Sequence, residues 1–164
     1  MEPLPEAGRR NGVDHQSSVA PVIVRHRAWI VAAVALGGAV GTIARYELAL
    51  AEPVQSGRFP WATFTANMVG SLVLGIVVVA LAETRGSRGV LRSFAAVGFC
   101  GGLTTFSTWM VESVLLTRDG NGDTAALYLV TSLVAGFAAV AAGIVGTRRA
   151  LGRPLPAFDP EVDD

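Results

Sequence analysis

The stretch 124–147, TAALYLVTSLVAGFAAVAAGIVGT, contains no Asp, Glu, Lys, Arg or His. Its 24 residues are enough for a helix to cross the hydrocarbon core of a bilayer, which takes about 20 apolar residues. One such stretch is compatible with a buried helix of a soluble protein, but this chain has four in 164 residues. The pattern therefore predicts an all-α integral membrane protein. The other three stretches without these five residue types are 28–44, 59–82 and 93–111.

The composition excludes several other classes of protein. Hydrophobic residues make up 51% of the chain and charged residues 16%, whereas a soluble domain carries about 25% charged residues. Thirteen Arg balance 13 acidic residues, so binding to nucleic acid by bulk positive charge is excluded. The single cysteine, Cys100, excludes a disulfide scaffold. No phosphate-binding Gly-rich motif is present, and we expect no enzymatic activity.

The chain is predicted to form one membrane domain over 28–147, flanked by two disordered tails. The N-terminal tail, 1–27, is polar and lacks the apolar stretch of a secretory signal. The C-terminal tail, 148–164, contains three prolines and ends in acidic residues. The sequence DGNGD at 119–123 predicts a turn. The four helices are expected at about 28–51, 59–82, 93–111 and 124–147.

The Arg residues are distributed unevenly along this domain. Ten of the 13 lie before the first helix, between the second and third, or after the fourth, and an even number of helices places these segments on one side. Only Arg58 and Arg118 fall on the other side, and Arg45 lies within the first helix. Because Arg-rich segments stay in the cytoplasm, we predict a multi-pass protein of the plasma membrane with both termini cytoplasmic.

The third stretch contains an unusual run of small and polar residues, GFCGGLTTFSTW at 98–109. Gly is less favourable than Ala in a helix interior by roughly 1 kcal/mol, so the Gly-Gly pair favours a break in the third helix. A break would offer carbonyl groups to a cation and N–H groups to an anion near the bilayer midplane. A continuous helix with its Thr hydroxyls bonded to its own carbonyls is the other interpretation, and this segment alone does not decide.

Three motifs resemble those of the CrcB/Fluc fluoride channels, and they occur in the same order. The segment 98–109, followed by Glu112, resembles the third-helix signature of that family. GGAVGTIARY at 37–46 resembles its first-helix motif, and PWATFTANMVGS at 60–71 resembles its second-helix motif. The similarity spans roughly 28–147. It implies a passive fluoride channel, built as an antiparallel dimer of four-helix subunits, that exports fluoride from the cytoplasm and lowers its toxicity.

The resemblance also implies the roles of individual residues. A structural sodium ion, which is not transported, would lie at the dimer centre on the backbone carbonyls of Gly101 and Thr104. Arg45 would lie in the vestibule. The fluoride pathway would include an amide, two aromatic rings and several hydroxyl groups: Asn67, Phe106, Trp109, Thr105, Ser107, Thr108, Tyr128 and Ser132.

Three of these residues have alternative interpretations. Asn67 could form an interhelical hydrogen bond, and Arg45 could extend to the membrane interface. Trp109 stands where the family usually has Phe, so its indole N–H could donate to the anion or its bulk could close the pore.

The Arg bias orients every subunit the same way, whereas the homodimers of this family need one subunit inserted each way. The predicted partner is therefore a second copy or an oppositely oriented paralogue. Two other functions stay open at this point. One is a pore-inactive subunit of a heteromeric fluoride channel, and the other is a small four-helix drug–proton antiporter.

Overall fold

The computed structural model of the chain describes residues 14–81 and 87–153, with side chains described over 27–81 and 89–153. Every regular element in these ranges is helical. Four spans are long and apolar enough to cross a membrane, which confirms the predicted all-α architecture with four spans. They are Arg27–Ala51, Trp61–Ala80, Gly89–Arg118 and Gly122–Ala150.

The third span is assembled from several helical pieces. Between its first and second α-helices, Ser93–Phe99 forms a π-helical segment, in which the Cys100 N–H bonds to the Ala95 carbonyl five residues earlier. The α-helices, numbered along the chain, are α1 (Asp14–Ala51), α2 (Trp61–Ala80), α3 (Ser87–Arg92), α4 (Cys100–Leu103), α5 (Phe106–Arg118) and α6 (Gly122–Ala150).

Both predicted tails are partly helical, which corrects the expectation of disorder. Because α1 begins at Asp14, residues 14–27 belong to the same helix as the first span. α6 likewise extends to Ala150. Once a helix is nucleated, each added residue gains a hydrogen bond, so the first charge after an apolar segment does not end it. The remaining parts of the predicted tails, 1–13 and 154–164, lie outside the described residues.

The loops around the third span are shorter than predicted for the same reason. α3 begins at Ser87 and α5 ends only at Arg118, so the helices include much of the predicted loops 83–92 and 112–123. The turn predicted at 119–123 is confirmed for 119–121, whereas Gly122 and Asp123 already belong to α6. Gly120 has φ of 80°, its N–H bonds to the Thr117 carbonyl at 3.2 Å, and this left-handed conformation ends α5.

Glycines let the helices of the chain pack with their backbones in contact. A Cβ on Gly98 of the π-helical segment would lie 2.6 Å from the Val34 carbonyl oxygen of α1. At the crossing of α2 and α6, a Cβ on Gly143 would lie 2.5 Å from the Leu72 carbonyl oxygen, and one on Gly75 would collide with the Val140 carbonyl. Small residues permit such close approach of helices in lipid. These glycines therefore serve the packing within one chain.

The outward faces of the spans are apolar. Val31 is 68% exposed, Val134 64% and Phe137 73%, and most other large exposed residues are Leu, Val or Ile. Such a surface would be unfavourable in water but matches the hydrocarbon of a bilayer. The polar groups gather instead where the spans meet at the middle of the third span.

Candidate ion pathway

The backbone of the third span leaves the helical conformation at Thr104 and Thr105. α4 ends at Leu103 and α5 begins at Phe106. Between them, Thr104 has φ −79° and ψ 154°, and Thr105 has φ −148° and ψ 124°, so both are extended. We call these two residues the Thr104–Thr105 step. Only Leu103 separates it from the glycine pair, where helix propensity is low.

Asn67 of α2 holds the step through its side-chain amide. Its Nδ2 donates to the Thr105 carbonyl at 3.1 Å, and its Oδ1 accepts from the Thr105 N–H at 2.8 Å. The interhelical hydrogen bond considered for Asn67 is therefore formed, and its partner is backbone. In a continuous helix the Thr105 N–H would bond to the Gly101 carbonyl four residues earlier, so that carbonyl loses its helical donor.

The Thr105 side chain caps the helix that follows it. Its Oγ1 accepts from the Thr108 N–H at 3.2 Å and donates to the Thr108 hydroxyl at 3.0 Å. In a continuous helix the Thr108 N–H would bond to the Thr104 carbonyl. The family resemblance assigns the carbonyls of Gly101 and Thr104 to sodium. The N–H groups that would bond to these two carbonyls in a continuous helix bond to side chains instead.

Arg45 and Gly70 contact the step from the first and second spans. The Arg45 Nε donates to the Gly102 carbonyl at 3.2 Å, so Arg45 supplies a hydrogen bond at the end of α4. Gly70 is buried against Thr104, and a Cβ there would collide with the Thr104 methyl group. Thr104 itself bonds back to the Cys100 carbonyl through both its N–H, at 2.9 Å, and its hydroxyl, at 2.8 Å.

A cavity of about 400 Å³ lies beside the step, between α2, the third span and α6. Two of its lining residues carry buried polar atoms with no hydrogen-bond partner among the described residues, namely the Trp109 indole Nε1 and the Ser132 Oγ. No Asp or Glu is among the described residues that line it. The sequence-predicted site residues that line this cavity are Asn67, Gly101, Thr104, Thr105, Phe106, Trp109 and Ser132.

The two predicted aromatic residues lie together at the wall of this cavity. The rings of Phe106 and Trp109 pack edge to face, with centroids 5.4 Å apart and planes inclined by 61°. Phe106 is 72% exposed, so the cavity reaches the surface of the chain at this point. Trp109 also packs against the buried cluster of Leu116, Ala125 and Tyr128. Aromatic ring edges carry partial positive charge, which suits them to an anion.

A second cavity, of about 200 Å³, lies on the other side of Thr105 and is lined by Arg45, Thr108 and Glu112. Glu112 is 9% exposed and accepts two hydrogen bonds, from the Thr63 hydroxyl at 2.9 Å and the Tyr128 hydroxyl at 2.7 Å. This carboxylate was not among the predicted site residues. Its position three residues after the end of the third-helix motif is the one signal in the sequence that points to it.

Two predicted pathway residues line neither cavity. Ser107 is exposed, and its hydroxyl lies 3.4 Å from that of Thr105. Tyr128 is fully buried, with its hydroxyl bonded to Glu112. The pathway roles of both residues stay predictions.

Comparison with known proteins identifies the family. The family model described as CrcB-like protein, Camphor Resistance (CrcB), matches residues 32–144. Streptomyces coelicolor "Fluoride-specific ion channel FluC 1" is 39% identical over 150 residues, which cover 90% of this chain and 96% of that protein. The chain belongs to the CrcB family. This CrcB-family chain also matches two other curated relatives. "Fluoride-specific ion channel FluC 3" of Streptomyces avermitilis is 44% identical over a range that covers 79% of this chain and 63% of that protein. "Fluoride-specific ion channel FluC" of Chlorobium chlorochromatii is 43% identical over 70% of this chain and 89% of that protein.

The family comparison confirms the resemblance drawn from the three motifs. The matched range of this CrcB-family chain runs from α1 to α6 and contains every predicted site residue, from Arg45 to Ser132. Four membrane-crossing spans and membership of this family together make it a multi-pass membrane protein.

Proposed function

We propose that this chain is a subunit of a passive fluoride channel that lets fluoride leave the cytoplasm. The observation that carries the proposal is the cavity beside the Thr104–Thr105 step, which has hydrogen-bond donors and aromatic edges in its wall. An anion inside a membrane needs such groups in place of its hydrating water, because an unpartnered charge there is costly. The relatives' names indicate which anion this is.

The donors of the cavity suit an anion that must pass without being trapped. Asn67 has a second amide N–H beyond the one that bonds to Thr105. Ser132 adds a hydroxyl, and the edges of Phe106 and Trp109 add weak electrostatic attraction. None of these groups carries a full positive charge. We therefore expect fluoride to meet a series of modest interactions along the cavity and to keep moving.

Export needs no energy source other than the membrane potential. Hydrogen fluoride crosses lipid as a neutral acid and ionises in the less acidic cytoplasm, which traps fluoride there. The outward movement of one negative charge is favoured by about 2.3 kcal/mol for each 100 mV of inside-negative potential. An open path for the anion is therefore enough to lower its concentration in the cell.

The proposed structural sodium ion would be held by the carbonyl oxygens of Gly101 and Thr104. Both carbonyls are freed from helical bonding, because their donors bond to Asn67 and to the Thr105 side chain. Hard cations prefer oxygen ligands, so the donor set fits. A Cβ on Gly101 would meet nothing within 4 Å, so this backbone is approachable from outside the chain. A bound sodium ion would compensate the partial negative charge of these two carbonyl oxygens and hold the step in place.

The same geometry supports a dimer. Phe106 lies at the point where the cavity reaches the surface, and Gly101 is exposed nearby. A second subunit packed on this face would close the cavity from lipid and add its own step beside the first. In the antiparallel arrangement that we propose, the two steps would meet at the centre of the dimer and share one sodium ion.

The second candidate function is a subunit that conducts only with an oppositely oriented paralogue, or whose own pore is inactive. Two observations favour it. Ten of 13 Arg residues lie in segments that four spans place on one side of the membrane, a bias that favours one orientation for every copy of this chain. Two of the FluC relatives, numbered 2 and 3, come from the same organism, Streptomyces avermitilis.

Fluoride efflux from liposomes tests these proposals. The chain is purified alone and together with a second family member from its own genome, and liposomes are loaded with fluoride in sodium buffer without a pH gradient. Efflux from the chain alone supports the homodimeric channel, and efflux only from the pair supports the second candidate. A drug–proton antiporter, which exchanges protons for a cationic drug, would release no fluoride in this assay. If neither preparation releases fluoride, the channel function is wrong.

The matched variants are Asn67→Leu and Trp29→Phe. Asn67→Leu removes the amide that holds the step, whereas Trp29 is 63% exposed on the outer surface of α1. We expect Asn67→Leu to reduce efflux at least tenfold and Trp29→Phe to leave it unchanged. In the paired preparation, the Asn67→Leu change is placed in this chain and not in its partner. The efflux that remains then shows whether the pathway of this chain conducts.

A further inference from the structure

The Trp109 indole and the Ser132 hydroxyl are two buried donors on the wall of the same cavity. Neither the indole Nε1 nor the Ser132 Oγ has a hydrogen-bond partner among the described residues. Both residues line the 400 Å³ cavity, although they come from different helices, α5 and α6. Buried polar groups are nearly always hydrogen-bonded, so two unpaired ones at a single cavity indicate an occupant.

The chemistry of the two groups limits what the occupant can be. An indole N–H donates and cannot accept, so its partner must be an acceptor. The described lining of the cavity contains no Asp or Glu that could repel an anion. The cavity has a volume of about 400 Å³ with Trp109 in its wall. The indole, which is larger than the ring of Phe, therefore does not fill it.

The orientation of the indole is fixed by its surroundings. One side of Trp109 packs against the buried cluster of Leu116, Ala125 and Tyr128, and its ring contacts Phe106 edge to face. A ring held in this way loses little freedom when it binds a ligand, which favours binding by a preorganised group.

We infer that the Trp109 N–H and the Ser132 hydroxyl form a hydrogen-bonding subsite for a small anion. This subsite rests on the proposed function, since fluoride is the anion that would occupy it. A Phe at position 109 would offer only a ring edge there. The indole of this chain adds a directed N–H, so fluoride is held more firmly at this point of the pathway.

The test observes the indole N–H directly. The full-length protein is labelled with ¹⁵N at the indole nitrogen, and its three Trp signals are assigned with W29F, W61F and W109F. Sodium fluoride then replaces sodium chloride at constant ionic strength. We expect the Trp109 signal to move saturably with fluoride while those of Trp29 and Trp61 stay in place. S132A should raise the apparent fluoride Kd about tenfold, equivalent to about 1.4 kcal/mol.

The control variant is S93A, because the Ser93 hydroxyl bonds to the Gly89 carbonyl of its own span and does not line the cavity. It should leave the fluoride Kd unchanged. If S132A does not fold, the titration of the unsubstituted protein still decides the role of Trp109.

The failure of this inference is distinguishable from the failure of the proposed function. A Trp109 signal that ignores fluoride, in a preparation that conducts fluoride in liposomes, overturns the subsite and leaves the channel in place. Movement of all three Trp signals together, or an equal response to chloride, also overturns it. A saturable shift at Trp109 that S132A does not weaken overturns the role of Ser132. The absence of conduction, alone and with a partner, overturns the proposed function whatever the indole does.

Discussion

Replacing Gly70 with Ala should displace Thr104 and weaken the proposed sodium site. A Cβ at position 70 would lie about 1 Å inside ordinary contact distance from the Thr104 methyl carbon. Thr104 cannot avoid it by rotating its side chain alone, because the hydroxyl on the same Cβ donates to the Cys100 carbonyl at 2.8 Å. The clash therefore either breaks this hydrogen bond or moves the Thr104 backbone, whose carbonyl is a proposed sodium ligand.

The expected size of the effect follows from the cost of overpacking. Inserting a methyl group into a filled space typically costs about 1–3 kcal/mol. If the sodium site bears this cost, the half-saturating sodium concentration for fluoride efflux rises about 5- to 150-fold. Helix propensity acts in the opposite direction, because Ala is favoured over Gly by about 1 kcal/mol. Efflux is measured from liposomes over a series of sodium concentrations, with N-methylglucamine replacing sodium.

Rescue by a second substitution separates this steric effect from other consequences. Thr104→Ser removes the methyl group and keeps the hydroxyl, so G70A/T104S should recover most of the sodium dependence of the unsubstituted protein. Gly136→Ala is the matched control, because a Cβ there lies at an ordinary 3.6 Å from the Met68 methyl carbon. Unchanged sodium dependence in G70A, or a defect that T104S does not relieve, would refute the steric reasoning. Efflux from the unsubstituted protein that ignores sodium altogether would remove the sodium proposal itself.

Three further substitutions test the packing between the spans, each by thermal unfolding in detergent. Arg45→Gln removes the Nε donor from its carbonyl partner in α4 and should lower stability by about 1 kcal/mol, whereas Arg58→Gln, on the exposed loop, should have no effect. Glu112→Ala leaves two buried hydroxyls without their acceptor and should cost about 1–3 kcal/mol for each. Gly75→Ala drives a Cβ into the α6 backbone and should prevent folding, while Gly146→Ala, which has open space around it, should fold normally. A stable G75A or E112A would contradict the packing described here.

The number and order of the spans could be predicted from the sequence, because the absence of charge over about 20 residues is a direct physical requirement of the bilayer. The helix ends could not be predicted in the same way. A charge marks where the apolar segment stops, whereas a helix continues as long as its backbone hydrogen bonds do. This is why α1 begins at Asp14 and α5 ends at Arg118, both beyond the charge-free stretches.

The candidate site was only partly predictable, because its main contacts join residues distant in sequence. Asn67 could be singled out as a polar residue in a membrane segment, but its bond to Thr105 spans 38 positions. Glu112 stands after the third-helix motif in the sequence but has no predicted role, because it lies just beyond the charge-free stretch 93–111. Its burial depends on hydrogen bonds from two other helices, donated by the hydroxyls of Thr63 and Tyr128. No local sequence pattern predicts these contacts.

Around the Thr104–Thr105 step, the carbonyl oxygens available to a cation lie apart from the donor groups available to an anion. The Cys100 and Gly102 carbonyls are bonded within the chain, to Thr104 and Arg45, whereas the Gly101 and Thr104 carbonyls have lost their helical donors. The unpaired donors lie elsewhere, on Trp109 and Ser132 in the cavity wall. Because the two sets share no atom, the proposed sodium and fluoride sites should be separable. G70A should change the dependence on sodium and leave the fluoride response of the Trp109 indole intact, and S132A should do the reverse. A substitution at either position that abolished both responses in a folded protein would mean that the two ions bind to one connected site.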